Sequence, residues 1–158
     1  MSGGIYDLES YQPRTGVGHL IHRVRTELLA AIDRELAKDE VLASLEVSSA
    51  QFIILATLSL GSAKSASDLC KGISYDAGAM TRMLDRLEEK GLLRRSRDPA
   101  DRRLVNLELT ERGTQAMPRM RAASMRVLNR FLQGFTKAEA RQLESYLERM
   151  LENGARGA

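Results

Sequence analysis

The sequence is poor in the residue types from which cross-links, metal centres and reactive sites are usually built. One of its 158 residues is cysteine, Cys70, which excludes an intrachain disulfide and a cysteine-based zinc site. Its two histidines, His19 and His22, lie three apart with no Asp, Glu or Cys close by to complete a metal set. Tryptophan is absent and aromatic residues make up 4%, so the core must be assembled from Leu, Ile, Val, Met and Ala. That supply favours helix packing over an aromatic-rich sandwich. No apolar run approaches the ~20 residues of a membrane-spanning helix. The first residues lack the basic start and apolar middle of a secretory signal. A cytoplasmic protein with no membrane partner is expected. No Ser/His/Asp set, phosphate-cradling glycine loop or paired-carboxylate pocket can be placed, so neither an enzyme nor a cofactor is expected.

Charge of neither sign dominates: 24 Lys and Arg against 21 Asp and Glu leave +3. Its distribution is more telling. Five arginines (Arg94, Arg95, Arg97, Arg102 and Arg103) crowd into ten residues that hold two acids, Asp98 and Asp101.

Residues 1–13 show no clear period and form a loose arm or one that crosses to a partner. Val17, Leu20, Ile21, Val24, Leu28, Ala31, Ile32 and Leu36 recur at steps of three and four, one face of a long helix. The pattern breaks over residues 40–47. Ser48 and Gln51 have capping-box spacing and open an uncharged, buried helix that ends at Gly61. Ser65 and Asp68 open a short helix carrying Cys70 on its apolar side, where packing is a better account of the thiol than redox sensing. A turn over Ile73, Ser74 and Tyr75 leads to a helix over 76–90, with an inward stripe of Ala77, Met80, Met83, Leu84 and Leu87 and with Gly91 at its C′ position. Two strands, 92–97 and 103–109, flank Asp98-Pro99-Ala100-Asp101, which carries turn chemistry. Thr110 caps a helix containing Pro118, which predicts a kink or a late start. Gly134 closes it, and the Thr136–Glu139 box opens the last helix.

A helix, a turn, a longer helix and a basic hairpin suit duplex DNA. The major groove admits one helix, read from its N-terminal end. Gly78 and Ala79 allow close approach, and Arg82 and Arg86, one turn apart, reach outward to a guanine edge or a phosphate. Ser74, Tyr75 and Thr81 can add phosphate bonds. The hairpin arginines, Arg97, Arg102 and Arg103, suit a neighbouring minor groove, with Asp101 placed to hold the Arg103 guanidinium. Solvation of an exposed helix face accounts equally well for Arg82 and Arg86 alone; edge protection is the competing reading of the wing arginines, but charge clustered at a turn tip is more than an edge needs.

DAGAMTRMLDRLEEKG (76–91), DPADRR (98–103) and LTERG (109–113) together resemble the MarR family of winged helix-turn-helix regulators. The resemblance implies a mainly α fold with a small β-hairpin wing, a winged helix-turn-helix domain joined to a helical dimerisation region. The expected division is an N-terminal dimerisation helix and linker at 14–46, a DNA-binding domain at 47–110 and C-terminal dimerisation helices at 111–153. It implies a homodimer on a pseudo-palindromic double-stranded operator, a repressor released by a small aromatic or phenolic acid. A ligand-independent architectural or activating DNA binder is the alternative, and a winged helix used for protein contact a third. By the resemblance, Asp76, Ala79, Thr81, Arg82 and Arg86 match the recognition helix, Asp101 and Arg103 match the wing's Asp-x-Arg pair, and Thr81 and Arg95 match positions that hold salicylate in some relatives. His19, His22, Arg23 and Arg25 either line an inducer pocket or solvate a helix flank. The first helix has no cysteine, unlike the oxidation-sensing relatives.

Overall fold

The computed structural model describes residues 4–73, 75–101 and 103–156. Ser74 and Arg102, both expected to contact DNA, lie outside the described residues. The element order is α1 (Val17–Leu36), α2 (Glu40–Leu45), α3 (Ser49–Ser59), α4 (Ala66–Gly72), α5 (Ala77–Glu89), β1 (Leu93–Arg97), β2 (Val105–Leu109), α6 (Glu111–Phe131) and α7 (Lys137–Arg156). The chain is mainly helical with one antiparallel hairpin, β1–β2.

Most helix starts follow from local hydrogen bonding. Ser48 and Gln51 satisfy each other's backbone N–H groups at the start of α3, and Ser65 and Asp68 do so at α4. Thr110 Oγ1 accepts from Gly113 N–H at 3.0 Å to open α6, and Thr136 with Glu139 forms the box ahead of α7. At the end of α5, Gly91 adopts φ +66°. There Gly91 N–H donates to the Glu88 carbonyl at 2.8 Å and Leu92 N–H to the Leu87 carbonyl at 3.0 Å, which closes the helix and turns the chain into β1.

Two expectations need correction. Residues 40–47 are not simply a break, because α2 lies there. Asp39 caps it through Val41 N–H and Leu42 N–H, and Leu42 and Leu45 are buried. Six residues are too few to show a helical period. Pro118 does not delay α6, which runs unbroken through it. The ring costs one hydrogen bond, that of the Thr114 carbonyl, rather than the helix.

The core gathers Leu36, Leu42, Ile54, Leu55, Leu69, Met80, Leu84, Leu87, Leu92 and Met120, all essentially without exposure. Phe52 is its one buried aromatic among the described residues. The stripe of α1 is only half used. Ala31, Ile32 and Leu36 are buried, whereas Val17, Leu20, Ile21 and Val24 are exposed. No residue of α7 is buried, and Leu143, Tyr146, Leu147 and Met150 stand open on it.

Glu35 is 7% exposed and ties α1 to α6. Its carboxylate accepts from Lys38 Nζ at 2.8 Å and from Arg126 Nε at 2.8 Å. Those two cations hold it down from the ordinary 4.5 to about 2. A carboxyl depressed in the folded state stabilises above its unfolded pKa and loses that contribution as pH falls through the folded one. Glu35→Gln is therefore expected to lower stability at neutral pH. The variant and the wild type should converge between pH 4.5 and about 2. Urea unfolding across that range checks it; a constant gap down to the lower limit would contradict the linkage.

Candidate nucleic-acid interface

The interface is built from α5 and the β1–β2 wing. Tyr75 N–H donates to the Ile73 carbonyl at 2.7 Å, and Tyr75 is half-buried against the core. Asp76 caps α5 through Ala79 N–H at 2.8 Å. That backbone bond, aided by Arg82 nearby, holds the Asp76 carboxyl below the ordinary range. Met80, Leu84 and Leu87 fix one side of the helix in the core, while Ala77, expected on that stripe, is exposed at the first turn. The opposite side presents Gly78, Thr81, Arg82 and Arg86. Ala79 is half-buried, and Thr81 Oγ1 donates to the Ala77 carbonyl at 2.8 Å.

Gly78 leaves a notch in this surface. A β-carbon there would lie 3.2 Å from Asp76 Oδ1 and 3.4 Å from Arg82 Nη1. The Arg82 guanidinium therefore reaches back along the helix and rests near the N-terminal carboxylate. Arg82 and Arg86 make no salt bridge among the described residues.

In the wing, Leu93 pairs with Leu109 and Arg97 with Val105. The tip is organised by Asp98. Its Oδ1 accepts from Ala100 N–H at 2.8 Å and Asp101 N–H at 3.1 Å, and its Oδ2 from Asn106 Nδ2 at 2.9 Å. The Asn106 contact leads in holding the Asp98 carboxyl below its usual range. Asp101 Oδ1 accepts from the backbone N–H of Arg103 at 2.9 Å. Among the described residues Asp101 thus holds the main chain of Arg103, whereas the sequence suggests that it holds the guanidinium. The Leu107 N–H also donates to the Lys64 carbonyl at 2.8 Å, which anchors the wing's other edge.

The arginine cluster separates into two groups. Arg94 is paired with Glu108 across the strands at 2.7 Å. Arg95 is held by Asp85 at 2.7 Å and by Glu88 of α5. Arg97 and Arg103 are exposed without an ion pair among the described residues. Exposed, unpaired cations on a helix and on the adjoining loop are the chemistry that meets phosphates and base edges.

The expected inducer residues fall in two groups, four on α1 and two, Thr81 and Arg95, where the wing meets α5. His22, Arg23 and Arg25 are exposed and His19 half-buried on α1, and Arg23 is paired with Glu27 at 2.9 Å. Thr81 and Arg95 lie on α5 and the wing. Arg25 alone of the six lines a cavity among those described, an apolar one of about 400 Å³ between α1 and α7. A larger cavity, about 730 Å³, lies between the end of α3, the end of β2 and α6, lined by Ser59, Leu109, Thr114, Met117, Pro118, Arg121, Ala122 and Met125. Arg121, which donates to Ser59 Oγ at 3.0 Å, is its one charged residue. In the sequence Arg121 looks like any cation on the flank of a long helix.

Comparison with known proteins agrees with this layout. A family model described as the MarR family matches residues 47–105. The uncharacterized HTH-type transcriptional regulator YdgJ of Bacillus subtilis (strain 168) is 35% identical over 89 residues. That match covers 56% of this chain and spans about half, 54%, of the length of the curated relative. Wild-type apo MarR from E. coli is 30% identical with a TM-score of 0.66, over 86% of this chain and 96% of that one. A MarR Cys-to-Ser mutant from E. coli complexed with operator DNA is 28% identical with a TM-score of 0.75, over 92% and 99%. Bordetella bronchiseptica BpsR, solved to explain how 6-hydroxynicotinic acid regulates its DNA binding, is 27% identical with a TM-score of 0.75, over 89% and 96%. With the capped α5, the basic wing and a 30% identical relative matched over nearly its whole length, the chain belongs to the MarR family.

Proposed function

We propose that the protein is a homodimeric, sequence-specific DNA-binding transcriptional regulator, a repressor released by a small hydroxylated aromatic acid. The observation that carries the DNA-binding reading is the joint exposure of Arg82 and Arg86 on α5 and Arg97 and Arg103 on the wing, none of them in an ion pair among the described residues. The relative seen with operator DNA supports the same reading. The assigned contacts are Tyr75, Asp76, Ala79, Thr81, Arg82 and Arg86 in the major groove, and Arg97, Asp101 and Arg103 at the wing.

The dimer reading rests on apolar surface that one copy leaves open: Val17, Leu20 and Val24 on α1, Phe131 and Phe135 around the end of α6, and Tyr146, Leu147 and Met150 on α7. Exposed apolar area on this scale marks an interface. Residues 14–46 and 111–153 then serve dimerisation and 47–110 reads DNA. Two recognition helices must sit about 34–36 Å apart to meet successive turns of one duplex face.

The ligand reading moves to the cavity beside α6. Leu109, Met117, Pro118 and Met125 offer apolar walls and Arg121 a cation for a carboxylate. The Thr114 carbonyl, deprived of its helix donor by Pro118, is an acceptor for a ring hydroxyl. BpsR, whose DNA binding responds to a hydroxylated heteroaromatic acid, supports this class. A ligand there acts only by favouring a state that binds DNA poorly.

Selection from random duplexes should return an inverted repeat bound by two chains, and 4-hydroxybenzoate or salicylate should release it. Arg121→Ala should leave operator affinity unchanged and weaken release by about 10–100-fold, the worth of a hydrogen bond to a charged group. Binding without any release by such acids would leave the architectural alternative.

A further inference from the structure

Arg95 commits both arms of its guanidinium to α5. Its side chain is 28% exposed. One arm donates to Asp85 at 2.7 Å, the other to Glu88, and its own backbone N–H donates to Glu88 Oε1 at 3.2 Å. Asp85 and Glu88 sit on consecutive turns of α5, and Arg95 sits in the middle of β1 opposite Leu107. A planar guanidinium held at two points fixes direction as well as distance. Burial works against its charge, but the two carboxylates outweigh that and raise its pKa.

We infer that Arg95 is a positioning residue for DNA recognition: clasped by Asp85 and Glu88, it sets the angle between the recognition helix and the wing. This rests on the DNA-binding reading. One helix must lie in the major groove while the loop that joins β1 to β2 meets the neighbouring backbone. Both contacts form only if the wing's tilt is right, and a misplaced tip forfeits its share of binding without losing any charge.

The deciding experiment removes the clasp without removing the arginine. Asp85→Asn with Glu88→Gln deletes two negative charges from the DNA-reading helix. Simple charge repulsion then predicts tighter operator binding, whereas a lost strut predicts binding weaker by tenfold or more. In the same background Arg103→Ala should cost less than it does in the wild type, because the tip is already out of place. Arg95→Ala should weaken operator binding while keeping the wild-type dependence on salt, since no phosphate contact is lost. Arg95→Lys should restore part of the affinity. Tighter binding by the carboxylate double variant overturns the inference, as does a salt slope reduced by about one in Arg95→Ala, the mark of a phosphate contact. Wild-type protein that binds no duplex in a salt-dependent way defeats the underlying reading before any variant is made, so the two failures are told apart.

Discussion

Gly113→Ala is expected to be the most destabilising single-methyl addition in the chain. In most exposed helix positions this change stabilises, by up to about 1 kcal/mol, because alanine is the better helix former. Here α6 begins against the backbone at the start of β1. A β-carbon on Gly113 would lie 2.0 Å from the Leu92 carbonyl oxygen and 3.0 Å from its carbon. The obstacle is backbone, so no rotamer relieves it. The same Leu92 carbonyl accepts from Thr110 N–H at 3.2 Å, and Thr110 Oγ1 both accepts from Gly113 N–H and donates to the Gly91 carbonyl. Moving α6 away breaks this knot, and with it the joint that holds the end of α5, the start of the wing and the long helix together. Overpacking costs typically 1–3 kcal/mol and more where nothing can yield, so roughly 3 kcal/mol or above is expected. For a chain of this size that is a fall in Tm of about 6–12 °C at fixed protomer concentration. Gly154→Ala, where an added carbon meets nothing within 4 Å, is the control and should be neutral or slightly stabilising. Equal melting of the two variants would refute the close approach.

This glycine shows what kind of information the sequence carries. Gly113 stands out in sequence only as part of a resemblance; its reason is a carbonyl twenty-one residues earlier in the chain. Signals confined to four or five residues were legible. The Ser48, Ser65 and Thr136 boxes, the Thr110 cap, the Gly91 stop and the Asp98 turn all form as their spacing predicts. Each is a bond between near neighbours, decided before the chain folds. Partners drawn from different elements were not legible. Arg94, Arg95, Arg97 and Arg103 look alike in sequence, yet the first two are engaged by Glu108, Asp85 and Glu88. Periodicity shows which face of α1 is apolar but not what covers it, and half of that face finds no cover within one chain. Lys90 is a similar case. Its ammonium reaches the Glu46 carbonyl at 2.6 Å and Gln51 at 3.1 Å, which pins the end of α5 to the start of α3.

Arg82→Ala and Arg103→Ala are expected to separate base reading from backbone binding. Arg103 stands on the wing tip with its main chain fixed by Asp101 and its side chain exposed. Its substitution should weaken binding to every duplex, most of all where an A/T-rich flank narrows the minor groove. The slope of log affinity against log salt should fall by about 0.9, the signature of one phosphate no longer neutralised. Arg82 lies within the first turns of α5, over the Gly78 notch and close to the Asp76 carboxylate. The negative neighbour restrains its guanidinium in one region of the helix surface, a condition for bidentate reading of a guanine edge. Arg82→Ala should therefore cost about 1–3 kcal/mol, roughly 10–100-fold, on the selected site and less on mismatched ones, so that preference at one base pair relaxes. Arg94→Ala serves as the comparison. That arginine belongs to the same sequence cluster but is engaged by Glu108, and its loss should leave both affinity and salt slope near wild type. Should Arg94→Ala match Arg103→Ala in either measure, a diffuse positive field and not the geometry of particular guanidinium groups would be what holds the duplex.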